Sequence, residues 1–143
     1  MSKSAPRFLA TTTSGTVSST AAEITAICSA LVTPELLLTS TGAKTGQRRT
    51  KPLTYFTDGD RVIVIASNYG GRRHPSWYFN VKAHPHVTLS AGGYQGSFVA
   101  EEVTGAERDR LWQLAQQFIP SYAHYERLAG DRVIPVIAFT ESP

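Results

Sequence analysis

The chain has 143 residues, 41% of them hydrophobic and 17% charged, which is the composition of one folded domain and excludes a disordered chain. Its lone cysteine, Cys28, excludes an internal disulfide framework and a cysteine-rich zinc or iron–sulfur site. The net charge is +3, and no apolar run approaches the roughly 18 residues of a membrane span. The first ten residues lack the apolar stretch of a secretory signal, so a cytoplasmic location is expected.

Residues 1–35 read as a lead-in. The Ser/Thr/Ala-rich stretch 10–22 has no periodicity and is expected to be flexible. Ile24, Ile27, Cys28 and Leu31 recur at helical spacing and predict a short amphipathic helix over 23–32. That stretch has no basic residue, which favours a place against the core over a membrane surface. From Leu36 the pattern changes. Residues 36–41, 49–56 and 61–67 are rich in β-branched and aromatic residues and predict strands. Gly42–Gln47 reads as a glycine-bracketed turn, and Asp58-Gly59 as a tight hairpin turn. Residues 68–75 form a loop, and Ser76–Ala83 a short helix opened near Pro75 and closed before Pro85. Two further strands, 86–90 and 97–102, flank a glycine-rich connection. Thr104 and Glu107 have the spacing of a capping box, and the helix it opens places Leu111, Leu114, Ala115 and Phe118 on one face. Pro120 interrupts that helix, and 121–129 makes another. Residues 133–140 close the domain as a strand whose Pro135 points to an edge or a bulge.

About six strands, mostly joined by hairpins, with two or three helices make an α+β barrel. The first three strands have no helical crossovers, which argues against a parallel sheet. Residues 36–143 would form this domain.

Charge is uneven. Lys44, Arg48, Arg49, Lys51, Arg61, Arg72, Arg73 and Lys82 face only Asp58 and Asp60 within residues 36–100, a local balance of +6, whereas residues 101–143 sum to −3. An anionic partner docking on the middle segment fits this, as does a merely solvated basic face. The dinucleotide G-x-G-x-x-G and hydrolase G-x-S-x-G signatures are absent, and the lysine of 42–46 precedes the second glycine, unlike a P-loop. His84 and His86 have no carboxylate or cysteine at ligand spacing, so no metal is expected. What remains is binding apparatus. The turn 42–51 offers backbone N–H groups and four cations to phosphate or carboxylate oxygens. Trp77 and Tyr78 beside Arg72 and Arg73 suit a flat anionic cofactor or a nucleobase.

Three runs, LLLTSTGAKTGQRRTKPLTYFTDGDRVIVIASNYG, HPSWYFNVKAHPHVTL and PSYAHYERLAGDRVIPVIAF, together resemble the deazaflavin-dependent nitroreductase family over roughly residues 36–140. The resemblance implies a split β-barrel of the FMN-binding type and a reductase that moves a hydride from reduced coenzyme F420 to an electron-poor quinone, enone or nitroaromatic. It implies that Lys44, Thr45, Arg49, Thr50 and Lys51 hold the cofactor's phosphate and glutamyl tail, and that Pro52, Leu53 and Thr54 also bind the cofactor. Ile65, Ala66, Ser67 and Asn68 would line the deazaflavin ring, and Ser76, Trp77, Tyr78, Phe79 and Asn80 would pack against it. Tyr122 and Tyr125 would face the substrate, Tyr122 also touching the cofactor, and Ser67 would join them in the reaction. Thr54 and Ile119 stand where the family pattern has aromatics, which weakens the expectation of nitroimidazole reduction.

Alternatives from the residues stay open. FMN is the second cofactor choice. A non-catalytic cofactor carrier and a barrel binding single-stranded nucleic acid are the others. The basic residues crowd one turn and one loop instead of alternating along strands, which argues against nucleic acid. The partners expected are a small hydride acceptor, a second copy of the chain or none, and at most a weak peripheral membrane contact through the N-terminus.

Overall fold

The computed structural model describes residues 34–142. The expected lead-in 10–22 and helix 23–32 lie outside them. Seven strands form one antiparallel sheet: β1 (Glu35–Thr41), β2 (Arg48–Thr54), β3 (Phe56–Asp58), β4 (Arg61–Ile65), β5 (His86–Ala91), β6 (Tyr94–Val103) and β7 (Val136–Glu141). Helix α1 (Ser76–Ala83) lies between β4 and β5, and α2 (Gly105–Phe118) and α3 (Ser121–Ala129) lie between β6 and β7.

The strand order β2-β1-β5-β6-β7-β4-β3 puts β2 and β3 at opposite edges. Only Tyr55 separates them in sequence. A flat sheet of this width would be about 29 Å across, whereas three residues reach at most about 11 Å. The sheet therefore curls until its edges meet at Tyr55, which is buried and donates its backbone N–H to the Pro34 carbonyl (3.2 Å). The result is a split barrel with three helices, the α+β architecture expected.

Hydrophobic patterning decides which faces are covered. β1 alternates, sending Leu36, Leu38 and Ser40 inward. β4 and β7 are continuous apolar runs because both of their faces are buried. Val62, Val64, Ile137 and Phe139 join the barrel interior, together with Trp77 and Val81 of α1. Ile63, Ile65, Val136 and Ala138 face a second cluster with Leu111, Trp112, Ala115, Tyr122 and Ala129 of α2 and α3. Each fully buried valine, leucine, isoleucine or phenylalanine among them contributes about 1.5–3 kcal/mol of transfer free energy. β4 and β7 thus anchor both layers.

Several expectations change. The strand expected over 49–56 is two, because Tyr55 turns the corner and Phe56 pairs with Ile63. The glycine-rich connection shrinks to a turn at Gly92-Gly93, both with positive φ, so Tyr94, Gln95 and Gly96 belong to β6. Thr104 makes no side-chain cap. Glu107 is drawn instead to Arg61 (2.6 Å) and Arg110 (3.0 Å), which also pair with Asp58. Phe118 is partly exposed on α2, and Trp112 takes its place in the core. Pro135 neither bulges nor marks an edge. It precedes β7, a strand paired on both sides, and its carbonyl accepts the Ala66 N–H (3.0 Å).

Candidate functional site

Two clefts open side by side at the split of the barrel. The larger, about 970 Å³, is lined by the turn after β1, by β2, by the loop before α1 and by α1 itself. The turn is built by backbone. Gly42 N–H donates to the Gln47 carbonyl (2.7 Å), and Gly46, at φ +72°, donates to the Gly42 carbonyl (2.9 Å). A Cβ on Gly42 would meet Thr45 Oγ1 at 2.8 Å, so a larger residue here would have to displace the Thr45 hydroxyl. Asn80 of α1 fixes the turn from outside, its Oδ1 accepting the Ala43 N–H (2.9 Å).

Register decides which cations face the cleft. Arg49, Lys51 and Leu53 sit opposite Ser40, Leu38 and Leu36, the inward-facing residues of β1. Arg48 points the other way and donates to the Thr41 hydroxyl (2.9 Å). Lys44, Arg49, Lys51, Arg72, Arg73 and Arg132 line this cleft with no carboxylate among the lining residues. Ser76, Phe79, Thr45, Thr50 and His74 complete the wall.

The smaller cleft, about 310 Å³, takes Pro52, Leu53 and Thr54 from β2, Ile65, Ser67, Asn68 and Tyr69 from the end of β4, and Ile119, Ser121, Tyr122 and Tyr125 from the α2–α3 junction. Lys51 and Trp77 line both clefts, so the indole forms a shared wall. Pro120 ends the run of α2 and lets α3 start at a new angle, which seats Tyr122 inward. Tyr122 is 6% exposed, 6.1 Å from the Trp112 ring and 6.2 Å from the Tyr125 ring. Its hydroxyl has no hydrogen-bond partner among the described residues. Burial, and then the neighbouring Tyr125, push its phenol above the ordinary value, so it stays firmly protonated at neutral pH. Asn68 and Tyr69 hold left-handed backbone at φ 49° and 55°, and Tyr69 stands edge-on to Tyr125 at 6.0 Å. Residues strained in this way cluster at functional sites.

Most of the residues picked from the sequence come together here. Two do not. Ala66 is fully buried in the barrel interior and presents no side chain to either cleft. Tyr78 lines neither cleft: its ring packs behind His74 (4.6 Å), and its hydroxyl donates to Glu102 Oε1 (2.7 Å), an oxygen also reached by Lys82 Nζ (2.9 Å). Burial and that carboxylate push the Tyr78 phenol up to about 12. Conversely, Tyr69, His74 and Arg132 line the clefts without having been singled out. Arg132 stands between α3 and β7 with no local motif, and only the fold brings it here. Among the described residues no group of three or more histidine, cysteine or acidic side chains is placed to hold a metal, and no helix is long and apolar enough to cross a membrane.

The family model described as F420H(2)-dependent quinone reductase matches residues 11–141. The F420H(2)-dependent quinone reductase Rv1261c of Mycobacterium tuberculosis is 41% identical over 110 residues, covering 75% of this chain and 73% of that protein. A solved structure titled as the F420-H2 dependent reductase FDR-A aligns with a TM-score of 0.67 at 41% identity, covering 74% of this chain and 93% of that one. Another, described as a domain-swapped dimer, aligns with a TM-score of 0.68 at 41% identity, covering 74% and 79%.

The donor chemistry fits coenzyme F420. Its phosphate and glutamyl carboxylates need cations and N–H groups without competing acids, which the larger cleft supplies. On the fold, the clefts and these likenesses together, the chain belongs to the F420H2-dependent quinone reductase family and is an F420-dependent oxidoreductase.

Proposed function

We propose that this enzyme reduces a quinone with reduced F420, holding the cofactor's anionic end in the larger cleft and the acceptor in the smaller one. The observation that carries this reading is the adjacency of an acid-free, cation-lined cleft to a small aromatic cleft over a shared Trp77 wall. Lys44, Thr45, Arg49, Thr50 and Lys51 hold the phosphate and glutamyl tail. Pro52, Leu53 and Thr54 carry β2 on into the smaller cleft beside the ring, and Ile65, Ser67, Asn68, Ser76, Trp77, Phe79 and Asn80 frame the ring. When bound, the deazaflavin supplies a hydride. The protein's part is to exclude water, to hold the acceptor flat, and to offer a donor where charge builds on its oxygen.

Tyr122 is that donor. Its hydroxyl is uncommitted to any described residue and its phenol is kept protonated by burial. Tyr125 and Tyr69 line the cleft beside it and set its width. Thr54 and Ile119 both line this cleft, so its wall carries no aromatic ring at those positions, which favours a quinone or enone over a nitroimidazole. The domain-swapped dimer among the structural likenesses supports a homodimer for this chain, to be read from light scattering on the purified protein.

Titrating F420 and FMN separately, then offering acceptors to the enzyme with reduced F420, tests the reading. Saturable F420 binding and quinone turnover are expected. Tighter binding of FMN than of F420, or F420 binding without turnover of any quinone, enone or nitroaromatic, would sink it.

A further inference from the structure

One guanidinium meets four acceptors on the segment that separates the clefts. Arg132 is half-buried in the 130–135 stretch between α3 and β7. Its Nε donates to the Gly71 carbonyl (2.8 Å), and its Nη2 to the Ser67 carbonyl (2.6 Å). Its Nη1 donates to the Ala66 carbonyl (3.2 Å) and lies 2.9 Å from His74 Nδ1. Among the described residues no carboxylate shares this group. Every acceptor belongs to residues 66–74, the link from β4 to α1.

That link feeds both clefts. Ser67, Asn68 and Tyr69 line the smaller, whereas Arg72, Arg73 and His74 line the larger. Its own internal bonds are few: Gly70 N–H to the Ser67 carbonyl (2.9 Å), Gly71 N–H to the Asn68 carbonyl (2.9 Å) and Asn68 Nδ2 to the Arg73 carbonyl (2.9 Å). Two of its non-glycine residues are held in left-handed backbone, a conformation that persists only where the surroundings over-determine it. Gly70 is packed beneath α3, where a Cβ would meet Leu128 Cβ at 2.8 Å. Beyond that packing, the Ala66 N–H bond to the Pro135 carbonyl (3.0 Å) and the Tyr69–Tyr125 contact, the hold on the segment comes from Arg132.

We infer that Arg132 is a positioning residue that locks the 66–74 segment and so fixes the acceptor cleft relative to the anion cleft. Its kinetic consequence rests on the two-cleft reading above, but the lock itself does not. Arginine suits the task because its planar fork reaches carbonyls spread around its rim, whereas a lysine ammonium is a point charge that cannot span them. Arg132 also lines the larger cleft, so plain positive charge is the competing explanation. A lysine at this position keeps the charge and loses the fork.

The test compares Arg132→Lys and Arg132→Met by amide hydrogen exchange without cofactor and by quinone kinetics at saturating reduced F420. Exchange at the hydrogen-bonded amides of the segment, Gly70 and Gly71, should speed by about tenfold or more in both variants while β4 and β7 keep their protection. Turnover should fall about ten- to a hundredfold in both, as a displaced acceptor site implies. F420 affinity should fall less in the lysine variant than in the methionine variant, because lysine keeps the charge. Native exchange with native turnover in Arg132→Lys would overturn the lock in favour of charge alone. Faster exchange spread evenly over the whole chain would also overturn it, showing general support of the fold. If the unaltered enzyme reduces no quinone, the functional reading fails while the exchange comparison still decides the lock. Should the methionine variant not fold, the lysine variant decides by itself.

Discussion

The larger cleft draws its cations from side chains in solvent, whereas the smaller one includes side chains that the core already holds. Lys44, Arg49, Thr50 and Lys51 are all exposed, on a turn and an edge strand. Ile65 and Tyr122 are each 6% exposed and pack in the cluster beneath α2 and α3. A hydrated cation can be left unpaired at little cost and swung onto an anion when one arrives. A buried phenol has no such freedom, so packing must set its direction beforehand. Affinity and orientation are thereby assigned to different materials.

Removing the shared wall should blur this division most. Trp77 is 4% exposed and belongs to the barrel interior, so Trp77→Ala should cost about 3–5 kcal/mol of stability in denaturant melts. F420 affinity and quinone turnover should fall together, because the indole lines both clefts. A loss confined to one of them would mean that the clefts share no functional wall.

Tyr122→Phe tests the rigid side. It keeps the ring and strands no partner, so stability should change by less than about 0.5 kcal/mol. Turnover at saturating cofactor should drop roughly tenfold to a thousandfold, with F420 affinity little changed. Unchanged turnover would move the donor role to Tyr125 or water.

The solvated side should respond in the opposite way. Lys44→Ala with Arg49→Ala should weaken F420 by ~1–3 kcal/mol in total, measured by titration, while turnover at saturation is kept. Added salt should shrink the difference, as should a cofactor fragment without phosphate and glutamates. Equal weakening of fragment and whole cofactor would refute the clamp.

The smallest effect is a pH dependence at the link between the clefts. Burial, then the Arg132 charge, hold His74 below its ordinary value of about 6.5, outweighing the opposite pull of Glu102. Folding therefore favours neutral His74. Its contribution is fully present above that ordinary value and is lost as pH falls through the lower, folded one. Melting temperature should fall more between pH 7 and pH 5 in the unaltered protein than in His74→Gln. Equal slopes would mean that His74 is not coupled to folding.

Much of the solvated site was legible in the chain order. Gly42, Lys44, Gly46, Arg49 and Lys51 lie within ten residues, and a turn plus one strand suffices to gather them. Helices 76–83 and 121–129 also read directly, because Pro75 and Pro120 mark where each begins. Tyr78 shows the limit of such reading. It neighbours Trp77 in sequence, yet the helical turn sends the two rings to different sides, one to the clefts and one to Glu102. The extra strand was missed because Tyr55 has good strand character, and nothing local reveals that it turns a corner.

By itself the sequence determined the antiparallel α+β class, the cation-rich turn and the aromatic segment after Pro120, because periodicity, glycine and proline act over a few residues. The tertiary structure alone decided that β7 is central and not an edge, that Arg132 reaches the 66–74 link, and that Tyr122 opens onto Thr54 and Ile65. Those placements depend on a sheet curling until positions separated by 57 to 79 residues in the chain become neighbours, and side-chain packing at that range leaves no pattern in any short window.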